Sequence, residues 1–375
     1  MACSKIFSGD LPELIEEIIQ YFRKDLSTLY SCILVNRLWC RLAIPLLWED
    51  PFSIPTQHYR CIETYLCFLN EDSKAKFNEY IIIDNLLLSN STLLFNYPNF
   101  IKYLDTSKIC QSIKYWVDTL VDIYNNELGN LVYRSLFEVF IESEGNLLSF
   151  EVVMITDYGC DGYFNDNIDL ILQNPKLTYN IRNLNFDHYA ISPQNTISFL
   201  KFLYSNCNSI SSIIFFFPTY GIGHSLSLIE NCLTQIIISQ HNLKKISFGY
   251  YINPHDSLLS LKNSNCSNTL NTIIFCFIDF KNIINILQEA FDQLNVLESI
   301  HILYCDSLNS DFKYIMKKEK VKYLAILESG SDDDKFDDEL FFLKDEVNEF
   351  KSHNIIVQKY NDLCILAYDY INNHL

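Results

Sequence analysis

The first fifty residues carry apolar positions at helical spacing, which predicts three short helices. In the first of these, apolar residues recur three or four positions apart at Leu11, Leu14, Ile15, Ile18, Ile19 and Phe22. Asp10 suits the N-cap of this helix, and Pro12 suits its first turn. A third helix fits about 36–47, and a second fits 27–35, with an apolar side formed by Leu29, Cys32, Ile33 and Leu34.

From about residue 145, short apolar runs alternate with stretches of helical periodicity. Seven runs share the pattern apolar-x-x-apolar-x-apolar, at Leu147/Phe150/Val152, Ile181/Leu184/Phe186, Ile210/Ile213/Phe215, Leu243/Ile246/Phe248, Leu270/Ile273/Phe275, Leu297/Ile300/Ile302 and Val321/Leu324/Ile326. Their first positions lie 34, 29, 33, 27, 27 and 24 residues apart. One run arises easily by chance in a chain with 49% hydrophobic residues, so the spacing is the stronger evidence. Pattern and spacing resemble those of leucine-rich repeats, which recur about every 20–29 residues.

Helical periodicity between these runs predicts a helix after most of the strands, at 196–203, 226–238, 282–291 and 312–317. A strand followed by a helix in every unit would give a parallel sheet on the inside of an arc, with the helices outside. We therefore predict an α/β fold. In this prediction a helical linker at 51–75 precedes an irregular leucine-rich-repeat-like solenoid with a C-terminal cap at 76–375. A different α/β layout of the same elements is the alternative.

The asparagine or cysteine that follows each strand in leucine-rich repeats is almost absent from this chain. Cys305 occupies one such position, whereas the others hold Tyr189, Pro218, Tyr251, Ile278 and Ser329. The backbone groups of those turns must then find other partners. An irregular curve is expected as a result.

Three short motifs stand in order within 8–50. They are Asp10-Leu11-Pro12-Glu13-Leu14, Val35-Asn36-Arg37-Leu38-Trp39 and Leu46-Leu47-Trp48. Together they resemble an F-box. The resemblance implies that 8–50 binds a Skp-type adaptor, and through it a cullin, in an SCF-type ubiquitin ligase, while the rest of the chain selects a protein substrate. It further implies adaptor-facing or core roles for Leu11, Pro12, Leu14, Ile18, Leu29, Val35 and Trp39.

The alternative for these helices is that they only cap the rest of the chain, as part of a repeat scaffold that belongs to no ligase. Three short helices have a small core of their own, so some of their apolar residues need a cover from elsewhere. Either an adaptor or the remainder of this chain could supply that cover.

The inner side of the predicted arc is the candidate substrate surface. Side chains alternate along a strand, so residues between the template positions face that side. Apolar residues at these positions or just beyond the strands are predicted to bind the substrate: Ile214, Phe216, Tyr250, Ile274, Phe277, Leu303, Tyr304 and Tyr323. A terminal tail or a shifted register that buries them is the alternative.

Charge narrows the range of partners. The chain has 28 basic and 46 acidic residues and a net charge of −18. Such a surface repels nucleic-acid phosphates and anionic lipids, so neither nucleic acid nor membrane is an expected partner, and a substrate with a basic face is favoured. No apolar run approaches the roughly 18 residues of a membrane span.

No arrangement of residues indicates catalysis, a cofactor or a metal. The eight histidines form no HxxxH or HExxH motif, and the few glycines complete no nucleotide-binding loop. The acidic run at 331–339 lacks the spacing of a calcium loop. Thirteen cysteines without a CxxC pair, mostly among apolar neighbours, indicate a reduced cytoplasmic or nuclear protein. We therefore predict a receptor and not an enzyme.

Overall fold

A computed structural model describes most of the chain, namely residues 12–54, 59–77, 80, 93–120, 125–153, 162–187, 191–216, 226–249, 254–261, 264–303, 305, 322–327 and 356–358. The chain forms two compact units, one from 1–149 with 155–178 and the other from 150–154 with 179–375. The N-terminal helices thus share a unit with the residues that follow them, whereas the sequence had indicated boundaries near 50 and 75.

The first unit is mainly helical. Its elements are α1 (Pro12–Tyr21), α2 (Leu26–Ile33), α3 (Arg37–Leu47), α4 (Arg60–Leu66), α5 (Glu71–Phe77), β1 (Tyr103–Asp105), α6 (Thr106–Leu120), α7 (Asn126–Glu142) and α8 (Tyr163–Gln173). The first three helices lie where apolar periodicity predicts them. The long helices α6 and α7 stand in the region where the repeat array was expected to begin.

Side-chain caps fix where several of these helices begin. The carboxylate of Asp25 accepts the N–H of Thr28 at 3.0 Å ahead of α2. The amide oxygen of Asn36 accepts the N–H groups of Leu38 and Trp39 at 2.9 and 3.0 Å ahead of α3. The first-turn N–H groups of a helix have no partner within the helix, so a polar residue at this position stabilises it.

Aromatic side chains fill the core behind α4 and α7. The buried ring of Tyr65 lies 5.5 Å from Trp48, 6.0 Å from Phe52 and 5.1 Å from Phe140, measured between ring centroids. Rings of this size bury large apolar areas and favour edge-to-face or offset contacts. This cluster joins the end of α3 to the rest of the first unit.

The second unit alternates strands and helices. Its elements are β2 (Ser149–Val152, which enters this unit at Phe150), β3 (Asn183–Asp187), α9 (Pro193–Asn206), β4 (Ser212–Phe216), α10 (Leu226–Ser239), β5 (Lys245–Gly249), α11 (His255–Leu261), β6 (Thr272–Cys276), α12 (Ile284–Gln293), β7 (Ser299–Leu303), β8 (Tyr323–Leu327) and β9 (Ile356–Gln358). Strands β3 to β9 form a parallel sheet in chain order. The prediction of an α/β fold with a parallel sheet is confirmed.

The register of this sheet matches the spacing of the apolar runs. Ile213 pairs with Ile246, Phe215 with Phe248, and the same correspondence continues from β3 to β8. Each pair joins equivalent positions of the seven-run pattern. The sequence spacing therefore predicts which residues lie side by side, because parallel neighbours in register put equivalent positions on the same face.

One face of the sheet packs against the helices. The ring of Phe186 stacks on Phe199 of α9 with centroids 5.6 Å apart, and Phe275 meets Phe280 at 5.2 Å. Helices α9 to α12 pack on one another in chain order. Three of the four predicted inter-strand helices are present as α9, α10 and α12; the fourth, at 312–317, lies outside the described residues, as does the predicted C-terminal cap.

At two turns of the second unit, a polar side chain hydrogen-bonds to the backbone of the preceding strand–helix segment. The sulfur of Cys305, just after β7, accepts the N–H of Ile278, just after β6, at 3.4 Å. Before the strands, the buried amide of Gln240 accepts the N–H of Ile210 at 2.9 Å and donates to the carbonyl of Cys207 at 2.8 Å. Both contacts satisfy buried backbone groups, which otherwise destabilise the fold.

The end of α7 offers a test of backbone conformation. Glu144 has φ of 55°, in the left-handed region, and the N–H of Gly145 donates to the carbonyl of Phe140 at 2.8 Å. We expect Glu144→Gly to raise the free energy of unfolding by about 0.5–1 kcal/mol, because glycine adopts this φ without the Cβ penalty. Urea unfolding followed by circular dichroism measures the change.

The matched variant at the next position is Gly145→Ala. A Cβ at Gly145 would lie 2.7 Å from the carbonyl oxygen of Phe140. We expect a loss of about 1–3 kcal/mol, because the end of α7 must shift to accept the methyl group. Equal stability of the two variants would contradict this description of the helix end.

Candidate functional site

The N-terminal helices α1, α2 and α3 enclose a core of their own. Eight buried side chains form it: Ile15, Ile19, Leu29, Cys32, Trp39, Ala43, Leu46 and Leu47. They come from all three helices, and half-buried neighbours such as Phe22 and Leu42 surround them. This segment therefore packs around an interior before any partner is added.

The residues predicted to contact an adaptor fall into three groups. Leu29 and Trp39 lie in this core, and Ile18 is half-buried. These three residues therefore pack inside the three-helix segment. Leu14 and Val35 are exposed, at 40% and 45% of their full areas. Pro12 begins α1, but its side chain, like the whole of Leu11, lies outside the described residues.

Leu34 is the residue that the sequence misplaces. The sequence analysis puts it on the apolar side of the second helix, yet the residue is 87% exposed. Leu34 keeps helical φ and ψ as the C-cap of α2, and five residues of helix put it about 140° around the axis from the buried Leu29. We call Leu14, Leu34 and Val35 the exposed apolar set. An apolar residue with this exposure at a helix end is a candidate for contact with another protein.

The opposite end of α3 is attached to the rest of the first unit. The ring of Trp48 lies 4.3 Å from that of Tyr97, and the carbonyl of Glu49 accepts the N–H groups of Lys102 and Tyr103 at 2.9 and 3.0 Å. The Glu49 carboxylate forms a 3.1 Å ion pair with Arg23. Burial raises the pKa of Glu49, and the charge of Arg23 offsets only part of that effect.

The predicted substrate residues on the second unit are less accessible than expected. Ile214, Ile274 and Leu303 are buried, so the expectation that they form an open apolar surface is wrong. Of the others, Phe277 is half-buried directly after β6 and Tyr323 is exposed at the start of β8. The side chain of Phe216 and the whole of Tyr250 and Tyr304 lie outside the described residues.

Polar side chains are concentrated on the sheet face that carries Ile214 and Ile274. The register puts Ser212, Lys245, Thr272 and Ser299 in one row across β4 to β7, and Ser247 and His301 lie in the next row. The hydroxyl of Ser299 lies 2.8 Å from Nε2 of His301. We call Ser212, Lys245 and Ser247 the β4–β5 polar cluster. The sequence does not reveal this cluster, because its residues come from two strands that are paired in the fold and are more than 30 residues apart in the chain.

The cluster is buried, although it contains a lysine. Ser212, Lys245 and Ser247 each expose less than a tenth of their areas. Burial lowers the pKa of Lys245 from its ordinary value of 10.5 to about 8, because removal from water penalises the ammonium form. A charged group in such a place needs nearby hydrogen-bonding partners or an opposite charge.

The Ser299–His301 pair does not by itself assign a reaction. A serine nucleophile needs donors for a developing oxyanion as well as a base. Strand β7 lies between β6 and β8, so its backbone N–H groups serve the sheet. Two side chains of one strand that share a face commonly hydrogen-bond for structural reasons.

Three other kinds of feature do not occur among the described residues. There, no group of histidine, cysteine and carboxylate side chains could hold a metal, no disulfide is formed, and no helix is long and apolar enough to cross a membrane. Comparison with known proteins found no matching family model and no similar curated protein. The exposed apolar set and the sheet are therefore the features of this chain that bear on its function.

The pKa of Lys245 leads to a prediction about stability. The folded chain releases this proton near pH 8 and the unfolded chain near 10.5, so the destabilising effect of the buried charge is greatest below pH 8 and fades as pH rises to 10.5. We expect Lys245→Met to have a melting temperature a few degrees above the wild type at pH 7, in an amine buffer, with a smaller advantage at pH 10.

The control for this experiment is Lys244→Met, because Lys244 is the adjacent residue and is exposed. Tyrosines and cysteines elsewhere titrate in every variant alike, so their effect cancels in the difference in melting temperature between a variant and the wild type. An advantage of Lys245→Met that stays constant from pH 7 to pH 10 would show that this lysine titrates normally.

Proposed function

We propose that this protein is the substrate-recognition subunit of an SCF-type ubiquitin ligase. In this proposal the helices within 8–50 act as an F-box that binds a Skp-type adaptor, and through it a cullin. The strand–helix array is a degenerate leucine-rich-repeat solenoid that binds a protein substrate in the cytoplasm or nucleus. The chain itself carries out no chemistry, since partner enzymes of such a ligase handle the ubiquitin.

The exposed apolar set is the observation that carries this proposal. Leu34 and Val35 follow one another in the turn between α2 and α3, and Leu14 lies on α1, all outside a core that is already closed. The helices do not need these side chains for their own packing. Leaving them in water forgoes the stabilisation that burial would bring, about 1.5–3 kcal/mol for a leucine or valine.

The geometry of α3 agrees with a role in docking. Its eleven residues span about 17 Å. The exposed pair Leu34 and Val35 lies in the turn just before its N-cap, whereas Trp48 and Glu49 attach its last end to the rest of the first unit. A partner that binds near the first end of α3 would therefore contact a helix whose other end is fixed to the first unit.

The second unit supports the receptor half of the proposal. Strand-to-strand offsets of 27 residues, as between Lys245 and Thr272 and between Thr272 and Ser299, fall within the range typical of leucine-rich repeats. The Cys305 sulfur bonds to the preceding turn as a ladder residue of such a repeat would. Exposed Tyr323 and half-buried Phe277 are the described residues from the predicted substrate set that a ligand could reach.

The second candidate is a repeat scaffold without a ligase partner. The attachment of Trp48 and Glu49 favours it, because it shows that part of the N-terminal segment packs on this chain. In that case the exposed apolar set would bind a different protein or none. The two candidates differ in whether the intact chain binds a Skp-type adaptor.

We expect the full chain to bind a Skp-type adaptor and Leu34→Asp with Val35→Asp to weaken binding by about thirtyfold or more. The reason is that a charge would be buried in the contact, at a cost typical of interface hot spots. Both side chains are exposed, so circular dichroism and the melting temperature should not change. Surface plasmon resonance with purified adaptor gives the affinity.

The matched control is Leu94→Asp. Leu94 is as exposed as Leu34, at 88% against 87%, but lies outside the three helices. It should bind the adaptor like the wild type. Failure of the wild-type chain to bind would favour the scaffold, and equal weakening by the control would remove the exposed apolar set as the contact.

A further inference from the structure

The residues that immediately precede β3 to β8 form one row across the second unit. They are Arg182, Ser211, Lys244, Asn271, Glu298 and Lys322. The backbone carbonyl of each residue in the row accepts the N–H of the next one, at 2.7 to 2.9 Å. These hydrogen bonds hold the six residues side by side. We call them the strand-entry row.

The strand-entry row is basic, although the chain as a whole has a net charge of −18. Its three cations, Arg182, Lys244 and Lys322, are all exposed. Lys322 forms a 2.7 Å ion pair with Glu298, the acidic residue of the row. In the part of the chain that the structure describes, Arg182 and Lys244 form no ion pair. These two cations are therefore open to an anion from outside.

The spacing of Arg182 and Lys244 indicates what kind of anion fits. Ser211 lies between them in the row, so their Cα atoms are two strand spacings, or about 9.6 Å, apart. A peptide in the polyproline II conformation has three residues per turn and rises about 3.1 Å per residue. Side chains three residues apart therefore lie on the same side of such a peptide, about 9.3 Å from one another. Carboxylates at every third position would match the two cations.

The neighbours of these cations favour an acidic peptide over a nucleic acid. Proteins that bind single strands combine cations with aromatic side chains on which the bases stack. Here the small polar residues Ser211 and Asn271 stand next to the cations in the row. The acidic surface of the chain also repels a polymer of phosphates, whereas a short peptide needs only the row.

We propose that the strand-entry row binds an extended acidic segment of a protein partner, with Arg182 and Lys244 contacting carboxylates three residues apart. The guanidinium of Arg182 can hold a carboxylate through two parallel N–H groups, and the ammonium of Lys244 acts as a point charge. The net charge favours a basic partner for the surface at large, and this row is an exception to it. The proposal does not depend on the proposed ligase function, because a receptor and a scaffold can both bind a protein here.

The test is fluorescence anisotropy of a labelled (Glu-Pro-Pro)3 peptide with blocked termini, titrated with the full chain in the absence of adaptor. At an ionic strength of about 0.02 M, where charges are weakly screened, we expect saturable binding. The peptide with glutamine in place of glutamate should not bind, because it keeps the shape and loses the charge. Arg182→Gln with Lys244→Gln should weaken binding of the glutamate peptide by about fivefold or more, because two charge-assisted contacts are lost.

The matched control is Lys201→Gln with Lys281→Gln. Lys201 lies on α9 and Lys281 follows β6, so this variant removes the same charge from exposed residues of the second unit outside the row. It should leave the affinity for the glutamate peptide unchanged. All four substituted residues are exposed, so the circular dichroism spectrum and the melting temperature of both variants should match the wild type.

A single-stranded oligothymidylate of equal charge separates an acidic peptide from a nucleic acid as the partner. It should bind more weakly than the glutamate peptide, and tighter binding overturns the proposal. Absence of saturable binding of the glutamate peptide overturns it as well. Equal weakening by the two double variants does the same, since the peptide would then respond to the total charge of the chain.

Discussion

Parallel pairing of the strands in a single register is the constraint on which the second unit depends. Each inner strand has backbone hydrogen-bonding groups on both edges. In a parallel sheet these groups are satisfied only when the neighbouring strands pair in the matching register. Ile213, Ile246 and Ile273 stand side by side because the chain returns after 33 and then 27 residues. The helices α9 to α12 between the strands range from 7 to 14 residues and the strand offsets from 27 to 33, while the paired positions stay the same.

Two turns show how backbone groups between successive strands of the sheet are satisfied. In one of them, the sulfur of Cys305 accepts the N–H of Ile278 at 3.4 Å. In the other, Gln240, which precedes β5, accepts the N–H of Ile210 and donates to the carbonyl of Cys207. Both of these residues precede β4. Buried backbone groups need partners, but the partner can be an amide or a thiol and can come from either end of the strand.

The two candidate surfaces differ in what exposes or buries them. On α1 to α3, the core closes behind Leu29 and Trp39 and leaves Leu34 and Val35 outside. On the sheet, the same face carries Ile214 and the polar residues Ser212, Lys245 and Ser247, and all four are buried. A strand buried on both faces loses the simple alternation of apolar and polar residues, so alternation alone is a weak guide to which face is open.

The sequence by itself determined the helices α1 to α3, the α/β class and the strand register, because periods of 3.6 and 2 residues and the spacing of the apolar runs are properties of the chain alone. Of the residues that it assigned to an adaptor contact, Leu14 and Val35 are exposed. Only the tertiary structure decided that Leu34 is exposed, that Ile214 and Ile274 are buried, and that two serines surround Lys245 on one face. Exposure and proximity across strands are set by residues far apart in the chain, and no local pattern contains them.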